Sequence, residues 1–573
     1  MNSRQTRFVV GTMVLTLLAW LFSPLFGEQR DLPSGDFPLL FDAAKALELT
    51  REFVTRFPRR VMGSIEARQS TGFLVKRFEG LGYRISYTHF DAVIADKRQV
   101  GRNVLASKAG QLPEVLALVA HYDTARTTVQ GAMDNGSAVG VLLELARVFA
   151  DVVPRRSLLF VASDGEEWGM LGALDLVRNY PERDRIAASL SLDYVAPAAM
   201  ADMRIDAVGQ MGGYTPPWLR RITLRAAQAE GMPVIEPFGL QEHLDRALLL
   251  SWTDQGPFLN AGIPAINLGS RSRDAALESA IYHSANDTIA NVNVSSVEKF
   301  GRAAERILRH LDGLPNLPRE SMEYFHVTGT AWLSPPVVAI LHYLVFLPFV
   351  LVVVFYAFNH GRSLGIAQAS HELIASLATF IPFLLFYYSI AFFLRLRLLP
   401  RYSFYPATPR DPILSNPAWG VLVGLFSIAI AAAVGCYLLA KYLVRNLPRA
   451  EFHTAKYILL LLYLIVLALA FAHNAYWTVT FLLLPAWIWG LVGASRGKLG
   501  RIANRLWILA AGIPCYLVSI FYASRQDLGW KVIWYQVLAL STGVITLQGF
   551  LLAAASIALG IRFMAVQGYG RGD

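Results

Sequence analysis

Apolar residues fall along this chain in two regimes. Between about Asp36 and Pro315, short apolar runs alternate with stretches of helical period, whereas on either side the runs approach the length needed to cross a bilayer. In the first regime, β-type runs occur at Tyr83–Phe90, Asn103–Ser107, Val115–His121, Ser157–Ser163, Ala188–Tyr194 and Ala265–Leu268. Helical periodicity marks Phe41–Phe57, Ser64–Leu81, Ser137–Ala150, Glu167–Asn179, Pro217–Glu230, Asp254–Ala261 and Val294–Leu311. Strands alternating with helices predict an α/β domain: a mixed, largely parallel sheet covered by helices on both faces. In the second regime, Phe8–Phe26 is almost continuously apolar. Seven further runs follow Pro315, at Val337–Phe358, Leu373–Phe393, Trp419–Ala440, Tyr457–Ala472, Trp477–Gly493, Leu506–Tyr522 and Val537–Leu559. The expected layout is an anchor and linker over 1–35, an α/β domain over 36–315, and an all-α transmembrane domain over 316–573, with about eight spans in all.

Composition supports that division. Of the 573 residues, 54% are hydrophobic and only 16% charged, too apolar for a chain that lies wholly in water. The net charge of +10 would suit nucleic acid, but much of the basic excess lies in short connections between apolar runs. Topology explains it there, and no basic patch asks for nucleic acid as a partner. The loops carrying Lys441, Arg445, Arg449 and Lys456, and Arg496, Lys498, Arg501 and Arg505, are expected in the cytoplasm. Arg4 and Arg7 before the first run put the N-terminus there too, while the loop with Arg395, Arg397, Arg401 and Arg410 runs against the scheme. The run Phe8–Phe26 is long for a signal peptide and no small-x-small cleavage site follows it, so it reads as an uncleaved anchor. The α/β domain then lies on the far side of the membrane, and lipid is one partner. The two cysteines, Cys436 and Cys515, fall inside apolar runs and give the polar domain no disulfide framework. Nothing in the pattern fixes an oligomeric state.

Candidate chemistry is confined to the α/β region. Ser157–Ser163 reads as a buried strand closed by a turn, and Ser163-Asp164-Gly165-Glu166-Glu167-Trp168-Gly169 places two adjacent acids at its C-terminal end, where open α/β sheets hold ligands. One such acid can ligate a metal while its neighbour moves protons; a helix N-terminus that favours negative charge is the plainer reading. His121 and Asp123 close the strand Val115–Val119 and point the same way, so Asp123 can accept the other ring N–H of a ligating imidazole. Asp134 lies in the turn-rich Gly131-Ala132-Met133-Asp134-Asn135-Gly136-Ser137 and alone would read as a helix cap. Asp193 closes another strand, and His283 sits among capping residues in Tyr282-His283-Ser284-Ala285-Asn286-Asp287-Thr288. Taken together, His121, Asp134, Glu167, Asp193 and His283 form an imidazole and carboxylate set that suits zinc, all at element ends. One carboxylate can bridge two ions about 3.5–4 Å apart.

The ordered motifs His-x-Asp, Met-Asp-Asn-Gly-Ser, Gly-Glu-Glu-x-Gly, Leu-Asp and Tyr-His-x-x-x-Asp-Thr resemble the co-catalytic di-zinc aminopeptidases related to bacterial leucyl aminopeptidases, glutamate carboxypeptidase and glutaminyl cyclase. The resemblance covers about Leu47 to Leu311. The layout is similar to the membrane-bound branch with the endoplasmic reticulum metallopeptidases and vacuolar membrane proteases. It implies a zinc-exopeptidase-like fold and an aminopeptidase acting on peptide substrates with two Zn2+ per chain. By the same resemblance, His121 and Asp193 each bind one ion, Glu167 and His283 the other, and Asp134 bridges them. Glu166 is the implied general base, Asp123 orients His121, and Tyr282 corresponds to a tyrosine that stabilises the tetrahedral intermediate. Trp252-Thr253-Asp254-Gln255-Gly256-Pro257-Phe258 is similar to the family's Ser-Asp-His-x-Pro-Phe, with Gln255 in place of His, a departure that bears on the pocket and on substrate preference. Three other readings stand beside this one: glutaminyl cyclisation on the same fold, a receptor-like scaffold that has lost its chemistry, and an accessory domain of a transporter. The expected location is a bacterial inner membrane with the α/β domain periplasmic or extracellular.

Overall fold

The computed structural model describes residues 1, 3–22, 38–197, 201–328, 331–403, 417–495, 497–525 and 528–568. Contacts divide the chain into two compact units: Glu28–Pro335 with Tyr402–Pro412, and Met1–Gly27 with Pro336–Arg401 and Ile413–Asp573.

The first unit is built on an eight-stranded sheet. Its strands are β1 Arg84–Ile94, β2 Lys97–Lys108, β3 Leu112–His121, β4 Arg156–Ser163, β5 Ile186–Leu192, β6 Ala201–Asp206, β7 Val234–Ile235 and β8 Ala265–Ser272, in the spatial order β1-β2-β4-β3-β5-β8-β6-β7. The centre, β4-β3-β5-β8, is parallel, while β1 with β2, β2 with β4 and β8 with β6 are antiparallel. The sheet is therefore mixed, as expected, with parallel pairing concentrated where continuous apolar runs such as Leu158–Ala162 are buried on both faces. On one face Leu116, Leu118, Phe160 and Leu190 meet the helices Ala43–Arg56, Ser137–Ala150 and Val294–Gly313; on the other, Val115, Val119, Leu159 and Val161 meet Leu171–Asn179 and Gln255–Asn260. Neighbouring residues of one strand thus serve opposite cores, as the two-residue period of a pleated strand requires.

Among the described residues of this unit, strands and helices not visible in the sequence pattern include β6, β7, the paired two-residue strands Phe325–His326 and Trp332–Leu333, and the helices Leu240–Leu248 and Ala275–Ile281. One expected helix is shorter than its period suggests. Glu167–Asn179 resolves into a single 3-10 turn, Glu166–Trp168, and a helix beginning only at Leu171, because Gly169 (φ 97°) and Met170 (φ 58°) take left-handed conformations that a right-handed helix cannot include. The acid pair consequently sits on a tight turn.

Among the described residues of the second unit, five helices are long and apolar enough to cross a membrane: Pro335–His360, Ile366–Arg395, Trp419–Leu443, Phe452–His473 and Leu547–Val566. A sixth span is formed if Lys498–Ala510 and Ile513–Phe521, bent by 41°, count as one, and Ala475–Leu491 is a shorter apolar helix. Seven runs were expected here. The run Val537–Leu559 is interrupted: Val532–Ser541 ends before Gly543 (φ 78°), and Thr546 caps a new helix by accepting a hydrogen bond from Gly549 N at 3.1 Å. The N-terminal run is helical over Ser3–Leu21; its remainder, Phe22 excepted, lies outside the described residues, as do Arg410 and Arg496.

Candidate metal centre

The parallel centre of the sheet brings the expected residues to one edge. His121 ends β3 and lies in register with Ser163, the last residue of β4, so the Gly165–Trp168 turn leaves beside it. Asp193 follows β5, its N–H donating to Leu268 O at 3.1 Å. Asp134 and His283 arrive on loops, the first just before the helix Ser137–Ala150 and the second just after the helix Ala275–Ile281.

Two triplets of donor atoms result, and they share one residue. His121 Nε2 lies 3.3 Å from Asp134 Oδ1 and 3.3 Å from Asp193 Oδ1. His283 Nε2 lies 3.0 Å from Asp134 Oδ2 and 3.1 Å from Glu167 Oε2. Within each triplet the atoms are close enough to surround one ion. The two oxygens of Asp134 are thus divided between two sites, each with one imidazole and one further carboxylate. That donor set fits zinc, which takes His nitrogen and carboxylate oxygen at about 2.0–2.2 Å.

The other three candidates lie around this core. Glu166 belongs to neither triplet; its Oε2 is 3.9 Å from His121 Nε2. Asp123 Oδ1 sits 3.3 Å from His121 Nδ1 and accepts from Glu166 N at 3.2 Å, while Oδ2 accepts from Glu167 N at 3.4 Å. One carboxylate therefore lies against the imidazole and accepts from the turn bearing the acid pair. Tyr282 stacks its ring on His283, centroids 3.9 Å apart and planes 17° from parallel, and meets Tyr194 edge-on at 5.4 Å.

The electrostatics ask for positive charge. Burial alone would suppress protonation of His283, but Glu167 and Asp134 outweigh it and push its pKa up to about 10. Burial likewise opposes charge on His121, which Glu166, Asp123, Asp134 and Asp193 nevertheless hold well above the ordinary imidazole value. Glu166 is raised far above the usual carboxylate range, first by burial and then by Asp193, Glu167 and Asp254, with His121 opposing. Like charges packed this closely resist joint ionisation unless cations, on the imidazoles or between the ligands, offset them.

Several residues that complete the centre had not been assigned roles. Arg60 is wholly buried; it donates to Tyr122 O at 2.8 Å and Gly131 O at 3.0 Å, joining the loops after His121 and before Asp134. Asn135 donates to Leu192 O at 2.9 Å and accepts from Tyr194 N at 3.1 Å, which ties Asp134 to the segment of Asp193. Asp287 accepts the backbone N–H groups of Ala132, Met133 and Asp134. Of these, Asn135 and Asp287 stood inside quoted motifs, Met-Asp-Asn-Gly-Ser and Tyr-His-x-x-x-Asp-Thr, whereas Arg60 carried no motif signal. Gln255, where the family's His was expected, donates to Val208 O at 3.2 Å and Ser251 Oγ at 3.0 Å and accepts from Thr253 Oγ1.

A mixed α/β sheet thus carries, at the ends of its parallel strands, two imidazole and carboxylate triplets whose donor atoms could each hold a metal ion. The resemblance read from the motifs is borne out by comparison: residues 103–308 match Peptidase family M28. Aminopeptidase YwaD of Bacillus subtilis is 25% identical over 212 residues, 35% of this chain and 43% of that protein. A vacuolar membrane protease of Candida dubliniensis is 25% identical over 308 residues, 51% of this chain and 30% of that protein. A solved zinc aminopeptidase from Bacillus subtilis aligns over 50% of this chain and 98% of its own, with 15% identity and a TM-score of 0.41. The chain spans less than half the length of the curated relatives it matches.

Proposed function

We propose that this chain is a membrane-bound, zinc-dependent exopeptidase, an aminopeptidase that hydrolyses peptide bonds with Glu166 as general base. The observation that carries the reading is the division of the Asp134 oxygens between two triplets, with Glu166 beside both and inside neither. His121, Asp193 and Asp134 would hold one ion, and Glu167, His283 and Asp134 the other. Two zinc ions held there would polarise the scissile carbonyl and bring hydroxide within reach near neutral pH.

The chain's own groups supply the rest. Asp123 Oδ1, 3.3 Å from His121 Nδ1, is the carboxylate placed to hold the proton on that nitrogen and leave Nε2 to ligate. Glu166, which lies outside both triplets with its carboxylate 3.9 Å from His121 Nε2, accepts a proton from the attacking water and delivers it to the leaving amine. Tyr282, beside His283, offers its hydroxyl to the developing oxyanion. The five apolar helices and the likeness to vacuolar membrane proteases support a membrane location. The basic residues Arg445 and Arg449, between the helices Trp419–Leu443 and Phe452–His473, support a cytoplasmic face for that connection, with the peptidase domain periplasmic or extracellular and the chain in a bacterial inner membrane. The test is a screen of aminoacyl and dipeptide substrates on the purified full chain, with and without chelator. Chelator-sensitive release of N-terminal residues is expected; no hydrolysis by zinc-loaded protein would overturn the reading.

A further inference from the structure

Asp287 is wholly buried and lies four residues after His283, yet its carboxylate is turned to another loop. Oδ1 accepts from Ala132 N at 2.8 Å and Met133 N at 2.7 Å, and Oδ2 accepts from Asp134 N at 3.1 Å. Three consecutive N–H groups therefore converge on one side chain just where Asp134 leaves the backbone. The same two loops are joined twice more: Thr127 Oγ1 donates to His283 O at 2.7 Å, and Ile289 N donates to Gln130 Oε1 at 2.8 Å. His283 has φ 50°, a left-handed conformation that costs a non-glycine residue about 1 kcal/mol or more and persists only where its surroundings hold it. Neither Asp287 nor Thr127 offers an atom to either triplet.

Resting on the two-zinc reading, we infer that Asp287 is the positioning residue of the bridging ligand: it gathers the 132–134 backbone so that Asp134 faces both sites, and it locks that loop to the one that carries His283. The carboxylate is required because it accepts on both oxygens. An asparagine offers one acceptor oxygen and sets an NH2 group against a backbone N–H, which leaves buried donors unpaired. Outer-sphere partners of this kind typically govern metal affinity by 10–100-fold. Since Asp134 serves both triplets, the loss falls on both ions. Thr127 braces only the His283 side, so its removal falls on the ion between Glu167 and His283.

The test is a zinc titration of the full chain in detergent against a chromophoric chelator, with circular dichroism of each metal-free protein. Wild type is expected to hold two equivalents, Asp287→Asn to lose about 10–100-fold in affinity at both, and Thr127→Val to weaken one equivalent while leaving the other. A purely architectural brace would lower metal-free stability and leave the affinity of the folded fraction unchanged, which would overturn the assignment, as would wild-type affinity in both variants. If Asp287→Asn does not fold, Thr127→Val decides by the same criterion. Should wild type itself hold fewer than two equivalents, it is the two-zinc reading that fails and this inference with it.

Discussion

Replacing Glu166 by glutamine tests the division of labour within the acid pair. The two side chains have the same shape, and Glu166 lies in neither triplet: its nearest approach to His121 Nε2 is 3.9 Å, against 3.3 Å for Asp134 and Asp193. Both donor sets therefore survive the change, and what is lost is a carboxylate able to take up a proton. Positioned general bases contribute about 10²–10⁴-fold, which converts to roughly 2.7–5.4 kcal/mol of transition-state stabilisation. The expected result is a fall of that size in kcat/KM, with zinc near two equivalents per chain and unchanged circular dichroism. The assay is hydrolysis of an aminoacyl substrate by protein whose metal content has been measured in the same sample. Activity within threefold of wild type would remove Glu166 from the base role, and parallel loss of zinc and activity would make it a ligand. The neighbouring change Glu167→Gln should do the opposite, weakening zinc first, because Glu167 Oε2 lies 3.1 Å from His283 Nε2.

Other expectations follow from the same structure. Dialysis against a strong chelator should abolish hydrolysis and zinc should restore it; zinc at 100 times its dissociation constant should add about 2.7 kcal/mol per occupied site to the stability of the folded domain, read as a higher thermal midpoint. Gly140→Ala should destabilise the α/β unit by about 1–3 kcal/mol in denaturant titration, since its Cβ would meet Ala46 O at 2.5 Å, a backbone atom that cannot swing aside. In the helical unit, Glu372 is wholly buried and receives Arg562 at 2.7 Å. Glu372→Ala should lower the thermal midpoint of the helical unit by removing this carboxylate from the partly buried Arg562 guanidinium. The double change Glu372→Leu with Arg562→Leu should recover most of that loss in detergent thermal melts.

Much of the centre was legible because each ligand candidate is announced by its own local pattern. His121 and Asp193 close apolar runs, the acid pair follows one, and Asp134 and His283 sit among turn residues, so the element-end signal and the residue type coincide. The braces carry no such signal. Arg60 stands beside Arg59 in a short loop, and only the three-dimensional path shows which of the two is wholly buried and reaches Tyr122 O and Gly131 O. Asn135 and Asp287 act on backbone groups 57 and 153 to 155 residues away, pairings that no periodicity records. The strand β6 was missed for a related reason: Ala-Asp-Met-Arg-Ile-Asp alternates polar and apolar over a short length and is held by pairing with β8. In the membrane-type region, hydropathy joined Val537 to Leu559 because Gly543 and Thr546 are small enough not to lower it, although one breaks the helix and the other caps the next.

Gln255 shows where the reading of a motif needs the structure most. A substitution at a family's histidine invites a change of chemistry, yet the amide here is spent on its own turn: both of its ends are taken by Val208 O, Ser251 Oγ and Thr253 Oγ1. The preceding Asp254 is the residue that answers to the centre. It accepts from Ser163 Oγ at 2.5 Å, at the end of β4, and burial pushes its pKa up to about 6 while His121 pulls against that shift. The two side chains part because they leave adjacent positions at the start of a helix, where successive residues point about 100° apart. In consequence the departure at Gln255 belongs to the packing of the 251–256 turn, while the acid beside it is tied through Ser163 to the end of β4.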